Sequence, residues 1–469
     1  MHTRRWLVGL GVMALAASVG AAAGWDFDFG LFRDHQLNAH SEQVYGVVEP
    51  LEASSTESIG GVLAEADPTR LVTLAKGLHA RVLSAQHNLG ANIDMMTLWP
   101  NNVNPTHLIA CNEQGATDPG VQRINLVTGE VETMITGLIS CDPVRLTAWG
   151  TIIVGEEVTD GWLVEIINPL QVSGVSFNRA TGTASGGTGA ANVIGRTAMG
   201  HLAFEGLALL PNGVLYYGDE NRPLNGIPGG AYFKFIPTTP WAGGTIANLS
   251  QSPLTGGKVY GLRLGKRSSN TDYGQGTNTG QGTWIEVANA NNTLLRNVTT
   301  SLKLTGYYRP EDAEIDPGAL AEGRVRFCAN NTGNESQDRL WGETICVTDG
   351  TFAQATANTA IPEVHYLVIG TPEFAMMDNI AYQPGRGNWI IHEDGDGPEV
   401  GRNNDLWACV DDGDDDDELS DGCVRVGTLN DLTAEWTGGF FTRFGDHFIV
   451  SVQHNATGHG VILDITGWR

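Results

Sequence analysis

One pattern recurs along the chain and limits what it can become. A polar residue opens a short apolar run, a turn containing Gly, Pro, Asn or Asp follows, a second apolar run rises, and acidic or amide residues end it. The first copy opens at Asp94 and stops at Asn112-Glu113. The second opens at Cys141, turns at Trp149-Gly150 and ends on Glu156-Glu157. The third opens at Glu205-Gly206, turns at Pro211-Asn212-Gly213 and stops at Asp219-Glu220. A fourth runs from Arg309-Pro310-Glu311, around Asp316-Pro317-Gly318, to Asn330-Asn331, and a fifth from Asp378-Asn379, around Pro384-Gly385, to Glu393-Asp394. The sixth opens at Glu435, passes Phe444-Gly445-Asp446 and stops at Gln453-His454. Short apolar runs bounded by turn residues read as hairpins. Six of them, each followed by one or two further strands, predict an all-β six-bladed β-propeller with irregular insertions. Two packed β-sandwiches are the alternative architecture.

The chain of 469 residues is long enough for one large closed β unit. Residues 1–23 read as an export signal: Arg4-Arg5 precede an apolar run, and Ala21-Ala22-Ala23 offer a cleavage site. The paired arginines fit a twin-arginine signal or an ordinary secretory one. Residues 24–79 read as an N-terminal arm without clear period and 80–469 as the propeller domain, with a Gly/Asn-rich insertion near 251–304 expected to leave the sheets as an excursion or lid. No later run is long and apolar enough to span a bilayer, so a periplasmic or extracellular protein is expected. A formal charge of -26 argues against a nucleic-acid partner, because phosphate backbones demand basic patches. Six cysteines in an exported chain invite disulfides. Cys409 and Cys423 flank an acidic loop that a bond between them would close, and Cys328 and Cys346 are the next candidate pair; Cys111 and Cys141 either pair or leave Cys141 as a metal-binding thiolate. The run 414–418 reads as a solvated charge cluster, since it lacks the spaced ligands and the Gly of an EF-hand.

Hairpin geometry gives the repeat a chemical meaning. The start of the first strand and the end of the second lie at the same end, and in a propeller the first strand of each blade lines the central channel. The polar ends of all six hairpins should therefore converge on one mouth. That would gather Glu113, Cys141, Glu156, Glu157, Glu205, Asp219, Glu220, Glu311, Asp378, Glu393 and Asp394. So many carboxylates cannot stay ionised together without counter-charge, because like charges raise each other's pKa. Bound cations are the simplest resolution.

In the order of these motifs the chain resembles the PhoX-type alkaline phosphatase family, from about residue 80 to the C-terminus with a gap over the Gly-rich insertion. The family's Cys…Trp-Gly-Thr…Glu-Glu pattern is similar to Cys141…Trp149-Gly150-Thr151…Glu156-Glu157. Its His-Glu-Gly resembles Phe204-Glu205-Gly206, its Gly-Asp-Asp/Glu resembles Gly218-Asp219-Glu220, and its Arg-Pro-Glu resembles Arg309-Pro310-Glu311. Its Pro-Asp-Asn resembles Met377-Asp378-Asn379, and its Gln-His-Pro-Gly resembles Gln453-His454-Asn455-Ala456. The resemblance implies an exported, monomeric phosphatase that hydrolyses small phosphate esters with Ca2+ and Fe3+. It implies iron ligands at Cys141, Glu205 and Glu311 and calcium ligands at Glu156, Glu157, Asp219, Asp378 and Glu393. Arg309, Glu311 and Cys141 would be catalytic, Arg309 by binding phosphate oxygens. The chain departs from the family where Asp142-Pro143-Val144 follow Cys141 in place of a Gly pair and where Phe204 replaces a histidine. The alternatives are a calcium-dependent lactonase- or esterase-like hydrolase and a non-catalytic calcium-binding propeller.

Overall fold

The computed structural model describes residues 29–221, 229–265, 278–333, 341–395, 401–413 and 418–469. The expected export signal, residues 414–417 of the acidic run and residues 266–277 of the expected insertion lie outside them.

Short strands dominate, joined by turns where Gly or Asn takes the left-handed backbone. At the Trp149-Gly150 turn, Gly150 has φ 79°, and the Thr147 N–H donates to the Thr151 carbonyl to close the hairpin. The N-terminal region supplies β1 (Val72–Leu74) and β2 (His79–Ser84). A first unit follows, β3 (Ile93–Trp99), β4 (His107–Asn112), β5 (Val121–Asn125) and β6 (Val131–Thr136). The second comprises β7 (Cys141–Leu146), β8 (Thr151–Glu156), β9 (Leu163–Ile167), β10 (Val175–Asn178), β11 (Thr183–Ser185) and β12 (Val193–Arg196). The third holds β13 (Phe204–Leu209), β14 (Leu215–Asp219), β15 (Tyr232–Pro237), β16 (Gly257–Leu264) and β17 (Gly280–Glu286). The fourth is β18 (Pro310–Ile315), β19 (Arg324–Asn331), β20 (Glu343–Thr351) and β21 (Glu363–Ile369). The fifth is β22 (Met377–Tyr382), β23 (Trp389–Glu393), β24 (Asp405–Cys409) and β25 (Cys423–Leu429), and the last is β26 (Glu435–Phe441), β27 (His447–Gln453) and β28 (Val461–Thr466).

The first two units join at their outer edges through the parallel pair β6–β10, and the third and fourth join through β17–β21. The N-terminal strands complete the last two sheets: β1 pairs with β25, and β2 pairs with β28 to give the order β2-β28-β27-β26. The lead strands β3, β7, β13, β18, β22 and β26 each pack against the next, and β26 packs back on β3. The molecule is thus all-β and propeller-like, with a few short helices.

One sequence expectation needs correction. The segment 251–304 is no excursion, because β16 and β17 within it are integral to the third sheet. Two of its glycines sit where strands pack closely: a Cβ on Gly261 would meet Leu304, and one on Gly282 would meet the Arg263 carbonyl oxygen. The N-terminal arm packs onto the last two sheets: Tyr45, Val47 and Leu71 are fully buried in one cluster with Trp436, Phe448 and Leu463.

All six lead strands carry a one-residue bulge. The register shifts between Ile93 and Met96, Cys141 and Val144, Glu205 and Ala208, Pro310 and Ala313, Met377 and Ile380, and Thr437 and Phe440. A bulge bends its strand and re-aims a side chain. Here the bulges lie at the same end of every lead strand, where the acidic residues sit.

Candidate metal centre

At the end of each second strand, neighbouring residues point to opposite sides, as strand geometry requires. The first member of each acidic doublet is held within the protein by an arginine. Glu156 takes Arg179 Nε at 3.0 Å and accepts from the Ile139 and Trp162 amides at 2.7 and 3.0 Å. Asp219 binds Arg296 through Nη2 at 2.8 Å and Nε at 3.0 Å. Glu393 binds Arg402 Nη2 at 2.7 Å and accepts from the Ala375 and Asp405 amides. Expected as calcium ligands, Glu156, Asp219 and Glu393 instead have their oxygens turned to these donors. The arginines were invisible to motif reading because they come from outside the hairpins.

The second members, Glu157, Glu220 and Asp394, lie among the bulge acids. One carboxylate oxygen from each of Asp142, Glu157 and Glu205 lies within 4.8 Å of the others. Asp142 Oδ1 and Glu205 Oε2 are buried without a partner among the described residues, as is Asp94 Oδ1. Burial pushes the Asp142 carboxyl up to about 7, with Glu113, Asp312 and Asp394 adding to the rise and the contact with Glu205 opposing it. Glu205 is held well above the usual carboxylate range by burial and by the Asp142 charge, and Glu157 by burial and then by Glu113 and Glu220. Asp378 and Glu311, both buried, are raised in the same way, Glu311 against the pull of Arg309. Two ionised carboxylates tolerate this proximity only if a proton or a cation sits between them.

Cys141 is bonded to Cys111, and the other pairs are Cys328–Cys346 and Cys409–Cys423. The sulfur expected as an iron ligand and catalytic group is therefore a disulfide sulfur in this structure. The register explains why. Cys141 occupies the pairing position held by Ile93, Phe204, Pro310 and Met377 in other lead strands. The slot whose acids gather is the next residue: Asp94, Asp142, Glu205, Glu311 and Asp378, all buried, with Asp94, Glu205 and Asp378 raised by burial and also by charges within the set. Asp142 was legible by that alignment, one step past the cysteine, and Pro143 in a strand is itself a bulge signal. If the bond is structural, replacing both Cys111 and Cys141 by Ala costs about 2–4 kcal/mol of stability but leaves metal content and turnover in place. Loss of bound metal with an intact fold would return Cys141 to the site.

Arg309 reaches this mouth from the loop before β18. Its backbone is left-handed, with φ 56°, which few non-Gly residues adopt. Nε lies 2.9 Å from Glu220 Oε1 and 3.2 Å from Glu311 Oε1, while the terminal Nη nitrogens take no protein partner among the described residues. Thr332 Oγ1 lies 2.8 Å from Glu311 Oε1. A missed pair lies close by: Arg145 of β7 binds Asp312 of β18 at 2.8 Å, so Asp312 is tied up within the lead-strand ring.

The raised acids set a pH dependence for protein stripped of metal. Asp142 titrates near 7 folded against 3.8 as an ordinary carboxyl, so the folded state binds the extra proton. Its contribution is complete below about pH 4 and is lost as pH rises through about 7. Chelated protein should therefore melt higher at about pH 5.5 than at about pH 8, and calcium should raise the melting temperature chiefly at the higher pH. A chelated melting temperature that rises with pH over this range would contradict the arrangement.

The fold and the acid-lined mouth define a propeller-like, all-β protein with a candidate cation site. Residues 119–456 match the family described as alkaline phosphatase PhoX, and the chain belongs to that family. Among solved structures it is similar to Pseudomonas fluorescens PhoX in complex with vanadate, a transition state analogue. That match has a TM-score of 0.60 at 15% identity and covers 89% of this chain and 98% of the other. The PQQ-bound aldose sugar dehydrogenase of Streptomyces coelicolor matches with a TM-score of 0.43 at 11% identity, over 83% of this chain and 98% of that one. A gluconolactonase of Xanthomonas campestris matches with a TM-score of 0.41 at 11% identity, over 89% and 96%. No curated protein matches in sequence. The family supports a phosphatase-type function. Among the described residues no helix is long and apolar enough to cross a membrane.

Proposed function

We propose that the chain is an exported phosphatase, acting as a monomer, that hydrolyses phosphate monoesters at calcium held in the mouth of a six-bladed propeller channel. Family membership supports the phosphatase class, and the ring of lead strands supports six blades. The export step rests on residues 1–23. The observation that carries the site is the convergence of Asp142, Glu157 and Glu205, with two buried oxygens unpartnered among the described residues, beside Arg309.

An all-oxygen donor set of carboxylates suits a hard cation such as Ca2+. Asp142, Glu157 and Glu205 would hold it, with Glu311 and Asp378 in reach of further cations. Thiolate-anchored iron does not fit, because the Cys141 sulfur is committed to Cys111. Bound calcium would neutralise charge developing on the phosphoryl group. Arg309 offers its two Nη groups to phosphoryl oxygens, a geometry its planar fork matches. Glu220 and Glu311 grip Nε and so fix where the fork points. Burial of this cluster lowers the local dielectric and strengthens each of these contacts.

The test compares esters on one calcium-loaded preparation: p-nitrophenyl phosphate, p-nitrophenyl acetate and a simple lactone. Turnover of the phosphate alone, abolished by chelation, is expected. Hydrolysis of the lactone or acetate without the phosphate would replace the proposal with a lactonase- or esterase-like one, and no turnover of any ester would replace it with a binding role.

A further inference from the structure

A second set of metal-binding groups shares no residue with the carboxylate cluster. Glu65 belongs to the helix Gly61–Ala66 of the N-terminal region. His87 lies between β2 and β3, and His459 between β27 and β28. His459 Nε2 is 2.8 Å from Glu65 Oε2, and His87 Nε2 is 3.3 Å from Glu65 Oε1. The imidazole rings meet edge to face with centroids 4.8 Å apart. One ligand atom from each residue lies within 4.8 Å of the other two.

The His459 ring is held in one orientation. It is 8% exposed, and its Nδ1 is 3.1 Å from the Gly460 carbonyl oxygen. That oxygen only accepts, so Nδ1 carries the proton. In the neutral ring Nε2 then presents a lone pair to Glu65 Oε2, which also offers only lone pairs. The contact is favourable only if the ring takes a second proton or a cation accepts from both atoms. Glu65 turns its other oxygen to His87, so both imidazoles address one carboxylate. A histidine whose second nitrogen donates to a backbone carbonyl is the usual arrangement of a metal-bound imidazole. Two imidazoles and a carboxylate select a zinc-class dication and are a poor set for calcium, which prefers oxygen throughout. Half-exposed Glu65 and exposed His87 leave room for water at the remaining position.

We propose that Glu65, His87 and His459 form a second metal site, for Zn2+ or a dication of its class, that clamps the N-terminal helix to the sheet β2-β28-β27-β26. The three residues are far apart in sequence, so the site assembles only when the helix docks and β2 pairs with β28. The docking is already close: a Cβ on Gly61 would meet the Ala456 carbonyl oxygen at 2.5 Å, and Ile59 N–H donates to Asn430 O at 2.7 Å. This site uses none of the residues of the carboxylate cluster, and its test does not depend on phosphatase activity.

The experiment uses the full chain, chelated and then saturated with Ca2+ to fill the carboxylate mouth. Cobalt(II) is titrated in while its visible d–d absorption is followed, and Zn2+ is then added to displace it. Wild type should bind one equivalent with the intense band of a four-coordinate site, and Zn2+ should remove the band. At a hundredfold excess over Kd, Zn2+ should raise the melting temperature by ~3 °C. His87→Ala combined with His459→Ala should lose both effects. Glu65→Gln, on a half-exposed helix position that tolerates change, should weaken binding at least about tenfold. An unchanged titration in these variants, or no band in the calcium-loaded wild type, would overturn the site and leave an ordinary imidazolium–carboxylate contact.

Discussion

Glu205→Gln should lower phosphatase turnover of the calcium-loaded protein by at least about 100-fold. The substitution keeps the shape of the side chain and removes its charge. Groups that merely orient a metal ligand are each worth about 10–100-fold in affinity or activity, so a direct ligand should cost no less. The fold should persist, because metal-free Glu205 is an unfavourable neighbour: its Oε2 is buried without a partner among the described residues and its carboxyl is held far above the ordinary range by burial and Asp142. A glutamine amide in the same place donates to Asp142 and relieves that repulsion. The variant should therefore melt no lower than wild type when both are chelated, yet gain less on adding calcium. Near-wild-type turnover would remove Glu205 from the metal-binding set. A collapse of the chelated variant would show that the carboxylate serves the fold instead.

Arg309→Ala should reduce kcat/KM by about 10–100-fold, the equivalent of the ~1.5–3 kcal/mol typical of hydrogen bonds to charged groups. Most of the loss belongs in KM and in the inhibition constant of inorganic phosphate, because the fork is expected to hold phosphoryl oxygens in substrate and transition state alike. Arg309→Lys should recover little, since an ammonium cannot reproduce the paired Nη contacts. The left-handed backbone at φ 56° adds a control. Arg309→Gly relieves that conformation while removing the same fork, so it should fold at least as well as the alanine variant and bind phosphate as poorly. Phosphate inhibition unchanged in both variants would place Arg309 outside the substrate site, as an internal counter-ion for Glu220 and Glu311.

The hairpins were legible because their turns announce themselves. Pro211-Asn212-Gly213 and Pro384-Gly385 carry the residues a tight reversal needs, with apolar runs on either side. The acids at strand ends were equally visible, and Glu157, Glu205, Glu311 and Asp378 do gather. What the pattern hid was which member of each doublet faces inward. That choice depends on Arg179, Arg296 and Arg402, whose partnership with Glu156, Asp219 and Glu393 is tertiary. The bulges were half-visible: Pro143, Gly206 and the Gly438-Gly439 pair mark three of them, but Asp94, Glu311 and Asp378 carry no such mark. Cys141 stands out in the sequence as a thiol and through the family resemblance, whereas Asp142 beside it is recognisable only once the lead strands are aligned by register. Strands β16 and β17 are hard to see in the sequence because Gly257, Gly261 and Gly282, where a Cβ would meet a neighbour, interrupt the alternation that normally flags a strand.

Elemental analysis tests the central claim most directly. It would be run on the full chain expressed with residues 1–23 retained, before and after chelation, with phosphate monoester turnover followed in parallel. The account predicts calcium at one or more equivalents, turnover lost with the calcium and restored by adding it back, and both absent from a protein carrying Asp142→Asn and Glu205→Gln. Full turnover in protein freed of calcium, or calcium retained by that double variant at wild-type level, would contradict it.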